Sequence, residues 1–272
     1  DFGGGNVASA GSSDIFVLTL NSSGAFQWVN TYGDTGVDVS EDTVIDSSGN
    51  LYIIGSFQNT IDFGGGNVTS AGIYDIFILK LNSSGAFQWV NTYGDGSMDI
   101  GFNLDVDSSG NLYATGLIFG TVDFGGGNVT SAGSFDIYVL KLDSSGAFQW
   151  VNTYGGTGVD SVGAIDVDSS GNSYLTGYFR DTVDFGGGNV TSAGGSDIYV
   201  LKLNSSGAFQ WVNTYGDTQD DGGYDIAIDS SGNLYTIGSF QNTVDFGGGN
   251  ITSAGSSDIY VLKLNSLGRG IE

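Results

Sequence analysis

Four aspartates are placed where carboxylates could do chemistry. Asp105-x-Asp107 and Asp166-x-Asp168 each set two acids ahead of a Ser-Ser-Gly-Asn turn. Hard cations such as calcium want clustered oxygens, and paired carboxylates before a glycine turn meet part of that need. The first acid of the pair is replaced by Val44 and Ala227 in the two other copies of this segment, and no stretch carries the full EF-hand pattern with its closing glutamate. The simpler expectation is that Asp46, Asp107, Asp168 and Asp229 cap hairpin turns. Calcium at Asp105, Asp107, Asp166 and Asp168 stands as the alternative, and neither reading requires a cofactor.

Nucleophilic chemistry is poorly supplied. The chain has no histidine and no cysteine, which removes Ser-His-Asp and Cys-His arrangements and the usual zinc sites. Glutamate occurs only at Glu41 and Glu272. The aspartates recur from copy to copy, whereas a glycosidase pair needs two carboxyls in unlike environments. The recurring DFGGGN lacks the spacing of a nucleotide-binding loop, so its glycines are expected to make a tight turn or a bulge. The expectation is a protein that is not an enzyme.

These residues are carried by a repeat. DFGGGN begins at Asp1, Asp62, Asp123, Asp184 and Asp245, a spacing of 61 residues that Trp28, Trp89, Trp150 and Trp211 also keep. Each unit reads as four strands, a to d. In the first full unit they are a at 42–46, b at Leu51–Phe57, c at Asp75–Leu81 and d at 86–93, with a Gly-rich excursion at 59–72 between b and c. β-Branched and aromatic runs bounded by Gly, Asn and Ser are the strand signal. Proline is absent and glycine occurs 48 times, so the turns rely on residues that reach positive φ or bond their own backbone. The core of strand c, Ile76-Phe77-Ile78-Leu79, is apolar on both faces and must be covered on both. Blades stacked face to face supply that cover. Phe26, Trp28 and Tyr32 are expected to alternate onto one face of strand d and fill the space between blades. The fold class is therefore all-β: one propeller-like array of four-stranded antiparallel blades over 1–272, with four full repeats and a partial fifth.

The run Asp-Ser-Ser-Gly-Asn-Leu-Tyr, then Gly-x-Phe, Val-Asp-Phe-Gly-Gly-Gly, Ser-Ala-Gly-x-x-Asp-Ile-Tyr-Val-Leu-Lys-Leu and Trp resembles the bacterial SBBP β-propeller repeats over essentially the whole chain. The resemblance implies a secreted or cell-surface propeller. It implies seven blades and carries no agreed catalytic residues.

Charge narrows the partners. Thirty acids against six bases give a formal net charge of −24, which repels nucleic acid and anionic membranes. No apolar run approaches the roughly 20 residues of a membrane helix, so no membrane insertion is expected. Seven Asn-x-Ser/Thr sites (Asn21, Asn67, Asn82, Asn128, Asn189, Asn204, Asn250) read as turn chemistry before glycan acceptors.

Comparing the copies locates a binding face. The a–b turns are always Ser-Ser-Gly-Asn, and the four complete c–d turns are Asn/Asp-Ser-Ser-Gly. The d–a and b–c connections, on the opposite face, differ between copies, and loops on a rigid scaffold are where specificity resides. The candidate ligand-binding residues there are Asp38, Glu41, Phe102, Phe119, Arg180, Asp220 and Tyr224. The expectation is a secreted or cell-surface recognition or adhesion module for an extracellular protein or glycan. The alternative is a structural subunit of a filament or surface layer. A c–d half-unit at one end and an a–b–c unit at the other would then join copies of itself head to tail.

Overall fold

The computed structural model describes residues 1–270; Ile271 and Glu272, which end the departure from the repeat, lie outside the described residues. The described chain is all β-strand and turn. A half-blade pairs Ile15–Leu20 with Phe26–Tyr32. Blade I is Val39–Ile45, Leu51–Phe57, Asp75–Leu81 and Phe87–Tyr93. Blade II is Ile100–Val106, Leu112–Ile118, Asp136–Leu142 and Phe148–Tyr154. Blade III is Ser161–Val167, Ser173–Asp184, Asn189–Leu203 and Phe209–Tyr215. Blade IV is Gly222–Ile228, Leu234–Phe240 and Asp258–Leu264. Blades I to III are antiparallel sheets in the order a-b-c-d, and blade IV has a-b-c. Strand a of each blade from I to IV lies beside strand a of the next.

The blades stack face to face, as strand c requires. Tyr52, Ile54, Ile76 and Ile78 of blade I bury against Leu112, Tyr138, Leu140 and Leu142 of blade II. Tyr113 and Val139 of blade II meet Leu175, Tyr199 and Leu201 of blade III in the same way. The two end faces are uncovered. Phe16 and Leu20 are 51% and 48% exposed, whereas the matching Phe77 and Leu81 are 0%; Ile259 and Val261 are 83% and 72% exposed. The half-blade and blade IV therefore do not cover each other, and no ring closes among the described residues.

Two features were not expected. The b–c excursion is not irregular: Thr60–Asp62 pairs with Asn67–Thr69 as a small hairpin. Asp62 Oδ1 accepts from the N–H of Gly64 and Gly66, which forms its tip. A Cβ on Gly65 would lie 2.4 Å from Cζ of Phe87, so the glycine is needed where the ring lies flat on the backbone. The second feature corrects the expected strand d. The pairing shifts between Lys80↔Trp89 and Leu81↔Phe87, so Gln88 is the extra residue of a bulge. A bulge breaks the period of two, and Phe87 turns to the opposite face from Trp89 and Tyr93. Phe87 packs with the cluster toward the half-blade, while Trp89 and Tyr93 pack toward blade II.

Candidate functional site

The a–b and c–d turns share one face: a Cβ on Gly49 of the a–b turn would lie 3.3 Å from Cβ of Ser83 in the c–d turn. This face repeats the same bonds at every joint. Asn30, Asn91, Asn152 and Asn213 donate from Nδ2 to the carbonyls of Gly85, Gly146, Gly207 and Gly268 in the next blade, at 2.7, 2.8, 2.7 and 2.5 Å. Lys80, Lys141 and Lys202 donate from Nζ to the carbonyls of Ser144, Ser205 and Ser266. The same ammonium groups lie 4.7, 4.7 and 4.8 Å from the ring centres of Tyr52, Tyr113 and Tyr174. Four of the six bases, counting Lys263 over Tyr235, thus belong to the scaffold.

Asp46, Asp107, Asp168 and Asp229 cap the a–b turns. Oδ1 of Asp107 accepts from the N–H of Ser109 and Asn111, and Oδ2 accepts from the Asn111 side chain. These bonds to the carboxylate hold Asp46 and Asp168 below the ordinary carboxylate value, against the burial that would raise them. Asp107 and Asp168 therefore spend their oxygens on their own turns. Asp105 and Asp166 come together alone, each spending its oxygens on backbone: Asp105 Oδ2 accepts from Val167 N–H and Asp166 Oδ2 from Ile228 N–H. Burial first, and the Asp166 carboxyl beside it, raise Asp105 well above the usual range. Among the described residues no group of three or more acidic side chains is arranged to hold a metal ion.

The opposite face carries the d–a loops and b–c hairpins. Asp38 is 2% exposed. Its Oδ2 accepts from Asp34 N–H and its Oδ1 from Gln58 N–H, clipping the d–a loop to the end of strand b. Asp99, Asp160 and Asp221 do the same. Burial raises all four, Asp99 to about 6. Glu41, Phe102 and Tyr224 occupy one repeat position, with Gly163 as its fourth member. In each blade this is the extra residue of a bulge in strand a. Glu41 lies over the half-blade beside Phe16 and Leu18, and Phe102 packs into the joint between blades II and III. Phe119 is 42% exposed and packs against Phe135 with ring centres 5.6 Å apart and the rings tilted.

Arg180, Asp220 and Tyr224 do converge. They line a groove of about 510 Å³ between blades III and IV, with Tyr178, Gly222, Ser239 and Gln241. The Tyr224 hydroxyl meets Ser239 Oγ. Gln241 Nε2 donates to the Asp220 carbonyl, and Asp220 Oδ1 accepts from Ser196 N–H. Gly222 stands where the other copies have Val39, Ile100 and Ser161. A Cβ there would reach the Tyr224 ring at 3.4 Å and the Tyr178 ring at 3.8 Å. Blade III differs in a second way. Asp34, Asp95 and Asp217 tie the d–a loop to Thr60, Thr121 and Thr243 N–H, but the fourth position is Gly156, whose Cβ would lie 2.4 Å from the Thr182 carbonyl oxygen. The loop closes directly on the ribbon, strands b and c run on through a register shift after Arg180, and Arg180 pairs with Ser196 in the ladder. Tyr178 was missed because its position, Ser56, Leu117, Tyr178 and Ser239 in the four copies, varies inside strand b and not in a loop. That variation was the available signal.

No protein-family model matches the chain. An uncharacterized WD repeat-containing protein of Acanthamoeba polyphaga mimivirus is 22% identical over 219 residues, which is 68% of this chain and 15% of that protein. The regulatory protein FlaEY of Caulobacter vibrioides is 26% identical over 197 residues, 68% of this chain and 20% of that protein. The chain thus spans a fifth or less of the length of these curated relatives. The WD repeats of the first accord with propeller-like blades. A protein of unknown function from Bacteroides caccae matches with a TM-score of 0.44 and 11% identity, over 93% of this chain and 72% of that one.

Proposed function

We propose that this chain is a non-catalytic recognition module, secreted or displayed at the cell surface, which binds its partner on the face of the d–a and b–c loops. The observation that carries this reading is the convergence of Tyr178, Arg180, Asp220, Gly222 and Tyr224, all departures from the other copies, on one groove. Blade II departs at the same positions with Phe102 and Leu117, which pack into the joint, whereas the departures at blades III and IV are polar and aromatic and leave a groove. The likeness to SBBP repeats supports an extracellular setting. The lack of histidine and cysteine supports binding without turnover. The test is an array of immobilised extracellular proteins and glycans, probed with the wild type and with Arg180→Ala/Tyr224→Ala. Every strong signal should fall at least tenfold in the variant; signals of unchanged strength would remove the groove from function.

A second reading, assembly with copies of itself into a filament or surface layer, is favoured by the two end faces. Phe16, Leu18 and Leu20 present the surface that blade I presents to the half-blade as Phe77, Leu79 and Leu81, and Ile259 and Val261 present the complementary one. The mass measured by light scattering would then rise with concentration and return to one chain in Ile259→Asp/Val261→Asp. A constant mass of one chain in the wild type would dismiss assembly.

A further inference from the structure

We infer that the groove between blades III and IV takes a neutral saccharide, with a pyranose ring held between Tyr178 and Tyr224 and its hydroxyls met by Arg180, Asp220 and Gln241. This rests on the reading of that groove as the recognition site and specifies its ligand.

The lining decides the class. Val159 is its one aliphatic side chain, so a hydrophobic ligand would lose its hydration for little apolar cover. What the groove offers instead is two tyrosines and a set of small polar groups. Tyr224 is 58% exposed and anchored at its hydroxyl by Ser239, leaving the ring face available. A sugar ring has the matching division: a face of C–H groups for an aromatic ring, and an edge of hydroxyls that both donate and accept. Arg180 supplies donors only and Asp220 an acceptor, while the Gln241 amide and the hydroxyls of Ser239 and Ser257 can do either. Hydroxyl groups are satisfied by such a mixture; a phosphate or a carboxylate wants donors alone.

Charge points the same way. Arg180 is the one base in the lining, and Asp220 and Asp221 stand with it. The chain as a whole carries −24, so an anionic ligand would approach against the field. The site is also held in place. Arg180 and Tyr178 lie on the continuous ribbon of blade III. Gly222 keeps clear the space that Val39, Ile100 or Ser161 would fill in the other copies. A rigid site restricts the ordering cost of binding to the ligand.

The test is calorimetric titration of the chain with cellotetraose, maltotetraose and chitotetraose, and with an oligogalacturonate as the acidic counterpart. At least one neutral oligosaccharide should bind, with an affinity that is the same at low and high salt. Tyr178→Ala and Tyr224→Ala should each weaken it tenfold or more and Arg180→Ala severalfold. Tyr224→Phe, which keeps the ring and loses only the Ser239 contact, should stay within about threefold. Equal melting temperatures would exclude unfolding as the cause. Binding of the acidic oligosaccharide alone, abolished by Arg180→Ala, would overturn the ligand class and leave the groove as the recognition site. Neutral binding untouched by both tyrosine substitutions would overturn the inference and the groove together. No binding to any of the saccharides would overturn the inference, and the protein array would then decide the groove separately.

Discussion

The two faces of the blade stack are built from the same repeat and have taken opposite courses. On the turn face, the asparagine bond recurs at each of the four joints and the lysine bond, with its tyrosine, at three of them, 61 residues apart. On the loop face, the bulged residue of strand a is Glu41, Phe102, Gly163 or Tyr224: Glu41 lines the open space over the half-blade, Phe102 packs into a joint, and Tyr224 stands in the groove between blades III and IV. The turn face sets the spacing and rotation of the blades, so a change there is felt at the whole joint. A bulge side chain projects from a finished ladder, so it can change without disturbing the frame. Stability and specificity are thereby divided between two faces of one sheet.

That division can be broken most severely in the stack itself. Phe124 is 1% exposed, with ring centres 5.0 Å from Tyr93 and 4.9 Å from Tyr138. Phe124→Ala should cost about 3–5 kcal/mol, read by urea unfolding. Cutting one turn-face bond should cost less. Asn91→Ala removes the donor to the Gly146 carbonyl across the joint, and a loss of about 1–3 kcal/mol is expected. A cost as small as that of a surface residue would show that the repeated bond does not hold the blades.

The next effect depends on pH. Burial and the neighbouring Asp166 raise Asp105, and burial raises Asp99 to about 6. Folding therefore favours their protonated forms. That stability is whole below the ordinary carboxylate value of 3.8 and is lost as pH climbs through the raised values. Asp46 and Asp168, held below that value, act oppositely: their stability is present above it and is lost as pH falls through their lowered range. The melting temperature should thus peak on the acid side of neutrality. Asp105→Asn should melt higher than the wild type at pH 8 and not at pH 5, by on the order of 1 kcal/mol, or about 2–4 °C. Variant and wild type melting alike at both pH values would contradict the raised Asp105. The smallest effect belongs to the groove: Tyr224→Ala should change stability by no more than about 0.5 kcal/mol by the same unfolding assay.

The frame was largely legible because its signals are local. Strands b and c of blade I span Leu51–Phe57 and Asp75–Leu81 as expected, since turn residues bound them sharply. Strand a begins earlier than expected, at Val39, because the bulge at Glu41 hides its alternation. The small hairpin escaped because three-residue strands beside a triple glycine carry almost no pattern. In the site, Arg180, Asp220 and Tyr224 were found by comparing copies. The same comparison could not tell that Asp38 is buried and committed to backbone amides, because that depends on how the d–a loop folds over strand b. The preferred reading of the Asp-x-Asp segments as turn caps was legible because it is local: Asp107 and Asp168 bond their own turns, one residue beyond the strand that carries Asp105 and Asp166.

Specificity is placed at one joint of a stack whose turn face is uniform. The most direct test of that placement is to return the joint to the identity of blade I, with Tyr178→Ser, Arg180→Gln, Gly222→Val and Tyr224→Glu in one chain. This chain and the wild type are then probed side by side on the same protein and glycan array. The division predicts a cooperative melt within a few degrees of the wild type and the loss of the wild-type signals. Signals that persist on the reverted chain would contradict it and place recognition elsewhere on the molecule.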